Sequence, residues 1–93
     1  MNPHESIYKK NEYYGWKNYE TWNVMLYINN DIKTYSEVKF CYNTFSKSAP
    51  YDAWLVKYGK QFQKTPDNVQ WGDKKIDLDE INEQLSEMFE NEY

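Results

Sequence analysis

Arginine is absent: all eleven basic residues are lysine. Without a guanidinium fork, the chain lacks the bidentate contact that sequence-specific DNA readers favour on guanine. There is one cysteine, Cys41, and one histidine, His4. A single thiol excludes an internal disulfide, and the pair leaves too few ligands for a structural zinc site. The acids do not follow calcium-loop spacing either, because "DKKIDLDE" at 73–80 lacks the central glycine and the closing acid of an EF-hand. A Ser–His–acid or Cys–His centre would depend on His4, close to the chain start. No cofactor, metal or catalytic triad is therefore expected. No run approaches the ~18 apolar residues of a membrane helix, and residues 1–16 contain no apolar core of a secretory signal. The expected setting is cytoplasmic, without membrane attachment, where a lone thiol stays reduced.

What the chain has in quantity is aromatic rings: four Trp, ten Tyr and four Phe make up 19% of its 93 residues. A chain of this size forms one domain, 1–93, and buries only about 60–65% of its extended surface. Large rings bury much area per ordered residue, so they suit a small core. Ten tyrosines also leave hydroxyl-bearing rings for the surface, where such rings favour interfaces.

The apolar spacing reads as about four helices in a compact all-α bundle. Residues 1–14 are polar and read as a loose N-terminal segment, followed by Gly15. A helix is expected from Asn18 or Thr21 to about Asn29, with Asn18 as N-cap and Glu20 in the first turn. The run "TWNVMLYI" is apolar almost all round, which places this helix at the centre. A strand with Trp22, Val24, Leu26 and Ile28 on one face has the same period, so period alone leaves it open. Asp31 is expected to cap a second helix whose stripe is Ile32, Tyr35, Val38, Tyr42 and Phe45. Pro50 opens a third, striped by Tyr51, Trp54, Leu55, Tyr58 and Phe62 and weakened at Gly59. Residues 64–75 are a turn-rich connection from which Trp71 folds back as a plug on the core. Asp77 with Glu80 resembles a capping box, ahead of a last helix striped by Leu78, Ile81, Leu85, Met88 and Phe89. A hairpin near 1–17 or 64–76 would make the fold α+β instead.

The densest stretch is "GWKNYETWNVMLYINND", Gly15 to Asp31. Its residues Asn18, Tyr19, Glu20, Thr21, Trp22, Asn23 and Val24, followed by an apolar run and Asn30-Asp31, resemble a family of small domains of unknown function encoded by bacteriophages and plasmids. Where such domains often carry Trp in the apolar run, this chain has Tyr27. The resemblance spans only residues 18–31 and brings no activity with it. It implies a mobile-element protein that acts inside a bacterial cell on host machinery.

Two readings of this stretch compete. Asn18, Glu20, Thr21 and Asn23 line a polar site, or Asn18 caps the helix, Trp16 and Trp22 pack, and Asn23 bonds the backbone of a loop. The second is expected, because Glu20 is the one group there able to act as a base and nothing pairs it. An enzyme would need Glu20, or another buried acid, in a pocket.

Charge is segregated along the chain. Residues 1–76 carry eleven Lys against eight acids, whereas 77–93 carry seven acids and no Lys, which together make the formal −4. At about 100° per residue, Asp79, Glu80, Glu83, Glu87 and Glu90 share one outer sector of the last helix. Unpaired like charges at helical spacing repel. They read either as a solvated face or as a stripe that docks in a basic groove. Carboxylates about 4.5–6 Å apart imitate the charge spacing of a nucleic-acid backbone. A third cluster, Tyr8, Lys9, Lys10, Tyr13, Tyr14, Trp16 and Lys17, has the lysine-and-ring makeup of a single-strand binder. The pI of about 4.9 argues against direct nucleic-acid binding.

The expected function is a non-enzymatic phage or plasmid protein that inhibits a host protein with a basic nucleic-acid-binding groove, a defence nuclease complex of the anti-CRISPR or anti-restriction type. Its expected contact residues are Asp79, Glu80, Glu83, Glu87 and Glu90 with Tyr13 and Tyr14. The alternative is a nucleic-acid-associated accessory module that uses the N-terminal Lys/Tyr cluster.

Overall fold

The computed structural model describes residues 13–92. Four helices follow one another: α1 (Tyr19–Asn30), α2 (Ile32–Thr44), α3 (Pro50–Lys57) and α4 (Leu78–Glu90). The all-α bundle is thus the observed fold, and 21–29 is helix rather than strand. The expected loose segment 1–14 lies outside the described residues apart from Tyr13 and Tyr14, as do His4, Tyr8, Lys9 and Lys10. The hairpin alternative is reduced to two isolated antiparallel bridges among the described residues, Tyr13 with Trp16 and Lys64 with Gln70.

The helix starts follow local chemistry. The Asn18 side chain accepts from the Thr21 amide at 2.9 Å, Asp31 from that of Thr34 at 3.3 Å, and Asp77 from that of Glu80 at 3.0 Å. Each satisfies an amide that the first turn leaves without an intrahelical partner. The capping box at Asp77 is only half formed. Glu80 does not reach back to the Asp77 amide, which donates to Thr21 Oγ1 at 2.9 Å. The Glu80 carboxylate accepts from the Lys17 amide at 3.0 Å instead.

The third helix is shorter than its stripe. Gly59, at φ +61°, supplies the left-handed residue of a Schellman stop. The Lys60 amide donates to Leu55 O at 2.9 Å and that of Gly59 to Val56 O at 3.3 Å. The chain leaves the helix axis there, and Phe62 stands 81% exposed instead of extending the stripe.

The core is built from Val24, Met25 and Ile28 of α1, Val38, Cys41 and Tyr42 of α2, Tyr51, Trp54 and Leu55 of α3, and Ile81, Leu85 and Phe89 of α4. Val69, Trp71 and Ile76 of the long connection complete it. Trp71 plugs the core as expected: its ring meets Trp54 edge-on at 5.0 Å, and its carbonyl accepts from the Tyr51 hydroxyl at 2.5 Å. Besides Phe62, four expected stripe residues face outward: Ile32 at 84%, Phe45 at 47%, Leu78 at 39% and Tyr58 at 36% exposure. Ile32 and Leu78 are the first residues of their helices, outside the turns that neighbouring helices cover. Phe45 lies past the end of α2, with the Lys57 ammonium 4.6 Å above its ring.

Candidate partner-binding surface

The "NYETWNV" motif divides by helix face. Asn18, Thr21 and Asn23 turn toward the 64–77 connection, while Tyr19 and Trp22 turn toward the Tyr13–Trp16 turn.

On the inner face, Asn18 Nδ2 donates to Lys75 O at 2.7 Å. Thr21 Oγ1 donates to Asn18 Oδ1 at 2.6 Å and accepts from the Asp77 amide. Fully buried Asn23 accepts from Thr65 Oγ1 at 2.7 Å and donates to Asp67 Oδ2 at 2.8 Å. These bonds go to side chains of the connection, whereas loop backbone was the expected partner of Asn23. Thr65 Oγ1 in turn accepts from the amides of Asp67 and Val69, so one buried asparagine fixes the whole 65–69 turn. A buried amide left without these partners would cost about 1–3 kcal/mol. The polar motif is therefore a clasp that holds the connection against α1.

A second buried amide does the same for α3. That helix begins after Ala49, which has no capping side chain. Asn82 of α4 supplies the acceptor: its Oδ1 takes the Tyr51 amide at 2.8 Å, and its Nδ2 donates to Asp52 at 2.7 Å. Sequence reasoning missed Asn82. Its position on the inner face of the last helix, between Ile81 and Leu85, was the available signal.

On the outer face, Tyr13, Tyr14, Tyr19 and Trp22 form one aromatic cluster, with ring centroids between 4.8 and 5.6 Å apart. The turn that presents it places Tyr14 at φ +50° and Gly15 at φ +88°, the pattern of a type I′ hairpin turn. Tyr14 stays 77% exposed. Trp22, expected in the centre of the fold, is only half-buried within this cluster, because α1 keeps one side open. Burial first, then Asp67, Tyr13 and Glu20, push the Tyr19 hydroxyl up.

The acidic helix lies beside this turn. Asp79, Glu83, Glu87 and Glu90 are exposed, while Glu80 is half-buried and bonded to the Lys17 amide. Among the described residues the ion pair is Lys39 with Glu92 at 2.5 Å, just beyond the helix end, so the face 79–90 has no lysine partner there. An open depression of about 520 Å³ sits at the start of α4 between Lys17, Lys74, Lys75, Asp77 and Asp79. Its lining mixes three lysines with two aspartates, so neither sign stands alone there. Glu20, the candidate base, is half-buried in the first turn of α1 and lines neither this depression nor the one at Asn29, Asn30, Ile32 and Tyr35. Among the described residues no group of three His, Cys, Asp or Glu side chains converges to hold a metal ion, and no helix is long and apolar enough to cross a membrane.

A family model matches residues 9–93, almost the whole chain. The chain belongs to the family of unknown function DUF7249. No curated protein and no solved structure matches it. In this DUF7249 domain the matched region takes in the clasp, the aromatic turn and the acidic helix together.

Proposed function

We propose that this DUF7249 domain is a non-enzymatic protein of a phage or plasmid that binds and inhibits a host protein inside the bacterial cell. The target class is a defence nuclease complex of the anti-CRISPR or anti-restriction type, approached through its basic nucleic-acid-binding groove. The observation that carries this reading is the exposed face of α4, where Asp79, Glu83, Glu87 and Glu90 stand without a lysine partner among the described residues. Carboxylates along one helix give a row of fixed negative charge at about 5–6 Å intervals. The bond from the Lys17 amide to Glu80 supports joint use of this face and the Tyr13–Tyr14 turn, because it ties the two segments together.

Glu83→Gln, Glu87→Gln and Glu90→Gln in one variant test it, since none of these exposed side chains makes a hydrogen bond or ion pair among the described residues. Glu80 is left intact because it anchors Lys17. The expected result is capture of a nucleic-acid-binding host protein by the wild type, in a complex lost as salt rises, with much weaker capture by the variant. Undiminished capture by the variant, with unchanged helicity, would overturn the role of the acidic face. A shift of single-stranded DNA at low salt by the wild type would favour the accessory-module reading instead.

A further inference from the structure

Tyr14 poses a physical question. A large ring held 77% exposed, on backbone at φ +50° that side chains other than glycine rarely adopt, is unfavourable twice over. Among the described residues its ring packs on the outer side of the cluster, 4.8 Å from Tyr13 and 5.5 Å from Trp22. The four rings are packed directly on one another, too closely for a side chain to enter between them. What remains available is their outer faces, which carry the negative pole of the ring quadrupole.

Among the described residues, carboxylates stand at the Tyr19 end of the cluster. Asp67 lies across Asn23 from Tyr19: Asn23 Nδ2 bonds Asp67 Oδ2 at 2.8 Å and approaches the Tyr19 hydroxyl at 3.5 Å. Asp67 is exposed, and no lysine pairs with it among the described residues. After burial, Asp67 is also what pushes up the hydroxyl of Tyr27, about two helical turns beyond Tyr19. Glu20 adds a second carboxylate next to Tyr19 in sequence.

We propose that the Tyr13, Tyr14, Tyr19 and Trp22 cluster, with the Asp67 carboxylate at its edge, is a docking surface for an arginine-bearing segment of a partner protein. A guanidinium lies flat on a ring face while its N–H groups reach a carboxylate, which a compact ammonium does less well. Rings alone also suit an unpaired base, but Asp67 and Glu20 repel the phosphates that accompany one. The inference rests on the inhibitor reading and deepens it by naming the chemical group that the Tyr13–Tyr14 turn takes beside the face of α4.

The test is an NMR titration of the full chain with N-acetyl-arginine amide, with short oligothymidine as the comparison probe. Saturable shifts of the Trp22 indole N–H and the Tyr14 and Tyr19 ring signals are expected. Asp67→Asn and Tyr14→Gly should each weaken them by about two- to fivefold. Both variants keep the fold: asparagine still accepts from Asn23, and glycine is at ease at φ +50°. Shifts confined to α4 would overturn the aromatic surface and leave the acidic-face reading standing. Ring shifts caused by oligothymidine rather than arginine, ring shifts on concentrating the protein alone, or no ring shift with any probe would each overturn it too.

Discussion

Buried amides and carboxylate caps decide more at the residue scale than any catalytic group. Asn82→Ala removes the acceptor of the Tyr51 amide and the partner of Asp52, and is expected to destabilise by about 1–3 kcal/mol. Urea unfolding would measure it, with a fall in Tm of about 4–8 °C per kcal/mol for a domain this small. Asp31 offers a prediction in pH. Its bond from the Thr34 hydroxyl, with the Thr34 and Lys33 amides and the Lys33 charge, outweighs burial and lowers its pKa below the ordinary 3.8. A lowered folded-state pKa adds stability that is present above the unfolded value and lost as pH falls through the folded one. Asp31→Asn should therefore flatten the fall in Tm below about pH 4, which acid melts of the two proteins would reveal. The caps Asn18, Asp31 and Asp77 were legible in the sequence because each partner lies three residues on. Asn23 and Asn82 were not, because their partners sit 42 and 31 residues away.

Elements end and face where their neighbours allow. The sequence marks Gly59 as a weak point in a longer helix, but its left-handed backbone stops α3 outright. The stripe through Tyr58 and Phe62 was a pattern that the chain never uses. In the sequence Gly72 reads as turn punctuation with Pro66 and Asp67, and nothing there marks it as a point of close approach. A Cβ there would stand 2.5 Å from Gln61 O, because the connection folds back on the residues after α3. Gly72→Ala is expected to cost about 1–3 kcal/mol through overpacking, measured by the same unfolding curves. In α4, the acidic face follows from the sequence once the helix phase is known. Its exposed carboxylates repel, so the Glu83, Glu87 and Glu90 to Gln variant should melt higher than wild type by a few tenths of a kcal/mol per pair. That gain should vanish in about 1 M salt, where screening removes the repulsion. A lower Tm at low salt would mean that these side chains hold the fold together.

At the scale of the whole molecule, large rings from three helices and a loop close one core around Trp54. Trp54→Ala should cost about 3–5 kcal/mol, and Trp22→Ala clearly less, since Trp22 is half-buried. Global unfolding would rank them. The fully buried thiol of Cys41 reports on the same closure. Burial first and then Glu37 push it up against a smaller opposing effect of Lys57. A thiol reagent at mildly alkaline pH should react with it only as the core opens, faster in Gly72→Ala than in wild type. Rapid stoichiometric labelling of the native protein would contradict the core described here.

From its sequence alone this chain was committed to helices, to their capped starts, to an aromatic core and to a negative final segment. Those properties depend on residues within a turn or two of each other, so local order carries them. Only the tertiary structure decided which rings are spent inside and which are shown, that the "NYETWNV" asparagines clasp a distant connection, and that Glu80 anchors the turn beside the acidic face. These outcomes depend on contacts between segments far apart in the chain, and apolar periodicity does not record which neighbour will cover a given face.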